Sequence, residues 1–248
     1  IRAEGERLLR SGQLPVGGLG RLALADLAAQ AQQAAARWRA WMSGEPRLEP
    51  PRELSLSCEV DGQHFVIEDW ARDLYQLADG RLKRLVLLTG DSLKENKPHY
   101  QRLLPDWLMH LALNASGIDS DTVIIAHDAE HRLAALPVED AGKRLDAVLS
   151  GWLAGLRDPL PLAPRTAFWQ LTKGQAQRPT PERLASVYEG RPGQTGEVDY
   201  DSNGALRRCY PDTAALLAPQ RDGQPLFVYW ANRLYAPLIE QLHAEATE

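Results

Sequence analysis

Residues 52–90, RELSLSCEVDGQHFVIEDWARDLYQLADGRLKRLVLLTG, set the tightest limit on how this chain folds. They read as three strand-like runs, 54–60, 64–69 and 82–88, with Asp61-Gly62 closing the first and Asp79-Gly80 leading into the third. An Asp-Gly pair between strand-like runs marks a hairpin, because a type I′ turn needs positive φ at both central residues. The third run ends in Leu85-Val86-Leu87-Leu88, apolar on both faces, as expected of a central strand covered on both sides. Helical patterns before and after this stretch predict an α/β layered fold.

The rest of the chain supplies the helices. Leu24, Leu27, Ala28, Ala31, Ala34, Ala35, Trp38, Trp41 and Met42 recur at helical spacing, and Ser43-Gly44-Glu45-Pro46 stops that helix. The glycines of Leu14-Pro15-Val16-Gly17-Gly18-Leu19-Gly20 follow no strand and fit no phosphate-loop spacing, so they predict a turn into the helix. Pro105 opens a helix that Gly117 ends. Residues 122–126 read as a strand. Further helices are predicted over 138–156, 164–172, 181–188 and 226–242, the last bent at Pro237. Residues 191–205 read as a loop rich in Gly and Asp. Residues 1–50 form an N-terminal helical segment packing on the core, and 51–248 an α/β domain ending in helices.

The composition narrows the function. With 248 residues, 44% apolar and 25% charged, the chain is long enough to bury a large core. No apolar run approaches the ~20 residues that span a bilayer, so no membrane role is expected. Ile1 in place of Met reads as an excised piece of something longer. A net charge of -5 argues against a free-standing nucleic-acid binder, so any DNA contact is expected to be local. Two cysteines are too few for a disulfide scaffold or a cysteine-rich zinc site, and a reducing cytoplasm is the expected compartment. Seven tryptophans suit helix–sheet packing or a protein interface.

One local charge concentration stands out. Between residues 81 and 102 lie six basic residues (Arg81, Lys83, Arg84, Lys94, Lys97, Arg102) and two acidic ones (Asp91, Glu95), a balance of +4, with Tyr100 among them. Cations neutralise phosphates and an aromatic ring stacks on bases, so these seven basic and aromatic positions are the candidate DNA contacts. A solvated strand edge and loop is the competing reading.

Four patterns bear on chemistry. Glu68-Asp69 on the second run and Glu95-Asn96-Lys97 after the third resemble the parts of a Mg²⁺-dependent nuclease site, with Asp69, Glu95 and Lys97 as its residues. The E-x-K element belongs at the end of the third strand, a place held here by Leu87, Leu88, Thr89 and Gly90. His127-Asp128-Ala129-Glu130-His131 fits the short H-x-x-E-H zinc pattern, but it follows a strand directly and Pro137 leaves little room for a helix, so a charged turn is expected. His110 has Asp106 four residues before it and no third ligand on its helix, and is expected to be structural. Asp199, Asp201, Asn203 and Gly204 copy the opening of a calcium loop, yet the twelfth position is Tyr210 where a bidentate Glu is required, so a polar turn is expected. No G-x-S-x-G elbow occurs, and neither Cys58 nor Cys209 has a marked general base. No catalytic residue, metal ligand or cofactor is assigned.

An ordered set of segments carries a family resemblance. It runs from Leu14-Pro15-Val16-Gly17 through Asp79-Gly80-Arg81-Leu82 and Trp107-Leu108-Met109-His110-Leu111-Ala112-Leu113-Asn114-Ala115. It continues with Pro159-Leu160-Pro161, Tyr188-Glu189-Gly190, and Leu226-Phe227-Val228-Tyr229-Trp230-Ala231 with Leu234-Tyr235-Ala236-Pro237-Leu238. In this order the chain resembles the C-terminal domain of the RecC-type gamma subunit of exodeoxyribonuclease V, the RecBCD helicase–nuclease. The resemblance implies a restriction-endonuclease-like (PD-(D/E)XK nuclease-like) mixed sheet flanked by helices with a degenerate active site. It implies a domain itself inactive, with the alpha and beta subunits and DNA as partners. Its role would be heterotrimer assembly and strand guidance during unwinding and recombinational repair of double-strand breaks. The alternative is an active Mg²⁺-dependent DNA nuclease using Asp69, Glu95 and Lys97.

Overall fold

A computed structural model describes residues 2–88, 93, 99–173, 181–200 and 203–245. In chain order the elements are α1 (Arg2–Arg10), α2 (Gly18–Met42), β1 (Arg47–Leu48), β2 (Arg52–Val60), β3 (Gln63–Ala71), β4 (Leu74–Gln76) and β5 (Leu82–Leu87). A 3₁₀ turn (Tyr100–Leu103) leads into α3 (Leu104–Ala115), β6 (Ser120–Ile125), β7 (Glu130–Leu133), α4 (Val138–Arg157), α5 (Pro164–Lys173) and α6 (Pro181–Tyr188). Then follow β8 (Gly190–Arg191), β9 (Gln194–Thr195), α7 (Gly204–Cys209), α8 (Thr213–Leu217), β10 (Gln220–Arg221), β11 (Gln224–Pro225), α9 (Leu226–Leu234) and α10 (Ala236–Glu245). The chain is therefore mixed α/β, with a mixed five-stranded sheet and flanking helices. It divides into two units, one of residues 1–50, 73–98 and 122–132, the other of 51–72, 99–121 and 133–248.

The first unit carries the sheet, in the order β1-β4-β5-β6-β7. β4 runs antiparallel to both β1 and β5. The periodic face of α2 lies on it. Tyr75, Leu85, Val123 and Ile125 form a buried cluster against which Trp38, Trp41 and Met42 pack. The Trp38 ring meets Tyr75 edge-on at 6.0 Å, a favoured aromatic geometry. The polar side of α2 is also engaged. Arg37 donates to the carbonyls of His127 and, at 3.0 Å, Asp128, and the Trp41 indole N–H donates to Glu130 at 3.1 Å.

The glycines at the start of α2 serve a positive φ and a close approach. Gly17 takes φ 74°, and a Cβ at Gly20 would lie 1.8 Å from the Pro15 carbonyl oxygen. Only glycine accepts either demand without strain. Beyond this turn, α1, α2 and the end of β5 enclose an apolar groove of 620 Å³ lined by Leu8, Leu24, Leu27, Trp38 and Leu87.

The second unit carries the β2–β3 ribbon, paired in register from Arg52↔Ala71 to Val60↔Gln63. Asp61 (φ 50°) and Gly62 (φ 73°) make the turn, matching the type I′ expectation. The ribbon buries Leu54, Val60 and Ala71, and Phe65 meets the Trp152 ring of α4 edge-on at 5.8 Å. Helices α3, α4, α5, α9 and α10 form the core around Trp107, Leu111, Phe168, Phe227, Trp230 and Leu238. Gly151 on α4 admits α9, since a Cβ there would sit 3.2 Å from the Leu234 methyls.

Three expectations change. Residues 52–90 are not one sheet: β2 and β3 pair only with each other among the described residues, and β5 pairs with β4 in the other sheet. The reason is local. Asp73 adopts φ 58°, which ends the ribbon and turns the chain into β4, and the Asp73 carbonyl accepts from the Leu85 N–H at 3.0 Å. At Asp79-Gly80 only Gly80 takes positive φ (85°), so this turn is a longer loop over 77–81 and not type I′. The helix expected over 226–242 is two helices broken at Tyr235. Pro237 lacks an N–H and its ring crowds the carbonyl four residues back, so the chain restarts as α10.

Candidate nucleic-acid interface

The basic positions fall in both units. Arg81 sits in the loop before β5, exposed, its guanidinium 2.7 Å from the Asp79 carboxylate. Lys83 and Arg84 are consecutive in β5, so they point to opposite faces of the sheet. Lys83 faces α2 and is 8% exposed, with its ammonium 4.3 Å from the centroid of the Trp41 ring. A cation in that position is held by the ring's negative face. Arg84 is half-buried on the other side. Lys94, Glu95 and Lys97 lie outside the described residues.

Tyr100 and Arg102 belong to the second unit, in the 3₁₀ turn ahead of α3. The Tyr100 ring is 7% exposed and packs at 5.9 Å on Phe168, which stacks in turn on Tyr235 at 5.0 Å. Arg102 is exposed. Of these side chains Arg81 and Arg102 are exposed and Arg84 is half-buried. Lys83 and Tyr100 work in packing.

The described residues of the patterns that mimic active sites lie on several elements. Asp69 is on β3, outside the five-stranded sheet, and its carboxylate accepts from the Trp70 N–H at 2.7 Å. In the H-x-x-E-H stretch, the Ala126 N–H bonds the Ala129 carbonyl at 2.9 Å, and Glu130 and His131 already belong to β7. Strand geometry gives no i, i+4 face for two imidazoles. Asp199 pairs with Arg207 at 3.9 Å, Asn203 donates to the Glu197 carbonyl at 2.8 Å, and the Tyr210 hydroxyl donates to the Pro159 carbonyl at 2.6 Å. Asp201 and Ser202 lie outside the described residues. Burial, then the nearby Asp146 carboxylate, pushes the Cys58 thiol up, the opposite of activation. Among the described residues no group of three or more His, Cys, Asp or Glu could hold a metal ion, and no helix is long and apolar enough to cross a membrane.

The family model for the RecC C-terminal domain matches residues 3–175, more than two-thirds of the chain. The chain belongs to the RecC C-terminal domain family. A search of curated proteins returns no match. The matched residues of this RecC C-terminal domain include α1, α2, the five-stranded sheet, the ribbon and α3 to α5. Tyr188-Glu189-Gly190 and the segments from Leu226 onward lie beyond them.

Two polar clusters of the chain have partners that sequence reasoning misses. Glu197 is 3% exposed and closes the N-terminus of α5. Its carboxylate accepts from the N–H of Arg165 at 2.9 Å and from the N–H and hydroxyl of Thr166 at 2.7 Å each. Pro164 has no N–H, so this one side chain answers the next two open donors of the helix. Glu197 comes just after β9 and follows Gly196, which approaches the Tyr188 carbonyl so closely that a Cβ would lie 2.4 Å away.

The second cluster surrounds His110, fully buried as a structural histidine should be. Gln241 bonds its Nε2 at 3.0 Å and the Ala134 carbonyl at 2.8 Å, while accepting from Trp107 at 3.3 Å and Arg144 at 3.2 Å. Asn114 joins the His110 carbonyl at 2.8 Å to the Leu136 N–H at 3.1 Å. Shared partners of this kind hold a buried network without leaving donors open.

Proposed function

We propose that this chain is a non-catalytic, nuclease-like domain of the gamma subunit of exodeoxyribonuclease V. It supports assembly with the alpha and beta subunits and guides DNA strands during unwinding and recombinational repair. In this reading the α/β part over 51–248 is a restriction-endonuclease-like domain with a degenerate site, preceded by the helical segment 1–50. Family membership across residues 3–175 is the observation that carries the reading. The setting of Asp69 supports the loss of catalysis: its carboxylate is exposed, bonded to its own strand, and carried by a two-stranded ribbon with no strand pairing to the five-stranded sheet among the described residues. A two-metal clamp needs acids from neighbouring strands converging within a few ångströms.

DNA contact in this reading is electrostatic, through Arg81 and Arg84 in the first unit and, separately, Arg102 in the second, with Lys94 and Lys97 as further candidates. Lys83 and Tyr100 hold the surfaces that present them. Replacing Arg81, Arg84 and Arg102 together by Glu is expected to weaken DNA binding by the reconstituted three-subunit complex by roughly tenfold or more, with a shallower dependence on salt. Fluorescence anisotropy on a forked duplex measures both. Unchanged affinity and salt slope remove DNA guidance from the proposal and leave assembly.

A further inference from the structure

The outer face of the β2–β3 ribbon carries a combination not used by any site above. Side chains alternate along a strand, so the inner face takes Leu54, Val60, Phe65 and Ala71 and the outer face takes the residues between them. The register sets Glu53 opposite Trp70, Ser55 opposite Glu68, Ser57 opposite Val66 and Glu59 opposite His64. Trp70 is 52% and Val66 54% exposed. Three carboxylates therefore surround a half-exposed indole and an exposed valine, and no Lys or Arg stands at any of the eight outer positions.

Charge decides what such a face accepts. Three glutamates without a cation repel phosphate, so this is not where the domain meets DNA. The same carboxylates attract Lys and Arg. A tryptophan beside them offers a face for a guanidinium or an apolar anchor, the residue type that dominates binding energy at interfaces. Among the described residues no third strand pairs with the ribbon, so its backbone edge adds to the surface.

We infer that the outer face of the β2–β3 ribbon is a protein-docking surface that receives a basic segment of a partner subunit. Lys or Arg of that segment meet Glu53, Glu59 and Glu68, and an apolar or guanidinium group covers Trp70. This inference rests on the assembly reading above and names the surface through which that assembly occurs.

The test uses the whole chain with purified alpha and beta subunits. Association is measured for the wild type, for Trp70→Ala, and for the triple variant Glu53→Lys, Glu59→Lys, Glu68→Lys, with circular dichroism to confirm folding. Oxidative footprinting of Trp70 in the wild-type chain, free and assembled, gives a readout that needs no variant. The expected results are about tenfold or greater weakening for each variant, wild-type association that weakens with salt, and loss of Trp70 oxidation on assembly. If the wild type fails to associate, the assembly reading itself falls, and the docking surface with it. If the wild type associates while Trp70 stays equally reactive and the folded variants bind as tightly, the docking surface alone is wrong. Trp70 protection that rises with concentration in the chain alone assigns the face to a second copy and overturns the inference too.

Discussion

Single residues explain why a suggestive motif carries no chemistry. The glycine cluster before α2 looks like a phosphate loop by composition, yet its glycines answer steric demands. Gly17 supplies positive φ and Gly20 lets the Pro15 carbonyl approach α2. Gly20→Ala is expected to lower stability by about 1–3 kcal/mol, the usual range for an overpacked site, because the atom in the way is backbone and cannot swing aside. Urea denaturation measures this, and a change below about 0.5 kcal/mol would mean that the turn shifts at little cost. Lys83 teaches the complementary lesson. In sequence it is one more cation in a basic stretch; in the fold it lies under Trp41 with its charge held by the ring. Nothing in local composition separates a lysine on the inner face of a strand from one on the outer face when the strand is apolar on both.

At the level of elements, what could be read depended on length and period. Helix α2, with its stripe of Ala, Leu and Trp, and the β2–β3 ribbon, with its Asp-Gly turn, follow from periodicity and turn chemistry and occur where those rules put them. β4 was hidden because Leu74–Gln76 is too short to show a period, and missing it merged the ribbon with β5 into one sheet. The loop expected over 191–205 hides a carboxylate cap on α5, since Glu197 gives no local sign of burial. That cap has a consequence for pH. Burial, with the Glu197 carboxylate adding to it, pushes the Tyr235 hydroxyl from its ordinary 10.0 up to about 12. Burial also pushes the Tyr188 hydroxyl up, aided by Glu197, Asp212 and Glu189. The folded state holds these protons more tightly than the unfolded chain. The stability they contribute is therefore complete below about pH 10 and is lost as pH rises through 12, by roughly 3 kcal/mol for Tyr235. Chemical denaturation at pH 9 to 12 should show this decline, and Tyr235→Phe should make it shallower. An unchanged slope in the variant would place the alkaline loss elsewhere.

For the whole molecule, the net charge of -5 and the surface features bear on the two contacts proposed above. The proposed DNA contact would use the exposed Arg81 and Arg102, whereas the outer ribbon face is acidic and aromatic and is the proposed protein contact. The family resemblance is read from an ordered set of segments, and the family model matches residues 3–175, the part of the chain that holds the first four of them. The nuclease question turns on Asp69, the residue through which an active site would have to work. The most direct measurement compares nuclease activity, with Mg²⁺ or Mn²⁺, of this chain alone and of the reconstituted complex, each with wild-type and Asp69→Ala chains. A non-catalytic domain predicts no metal-dependent cleavage by the chain alone and equal activity for the two complexes. Cleavage by the wild-type chain that Asp69→Ala abolishes would contradict it.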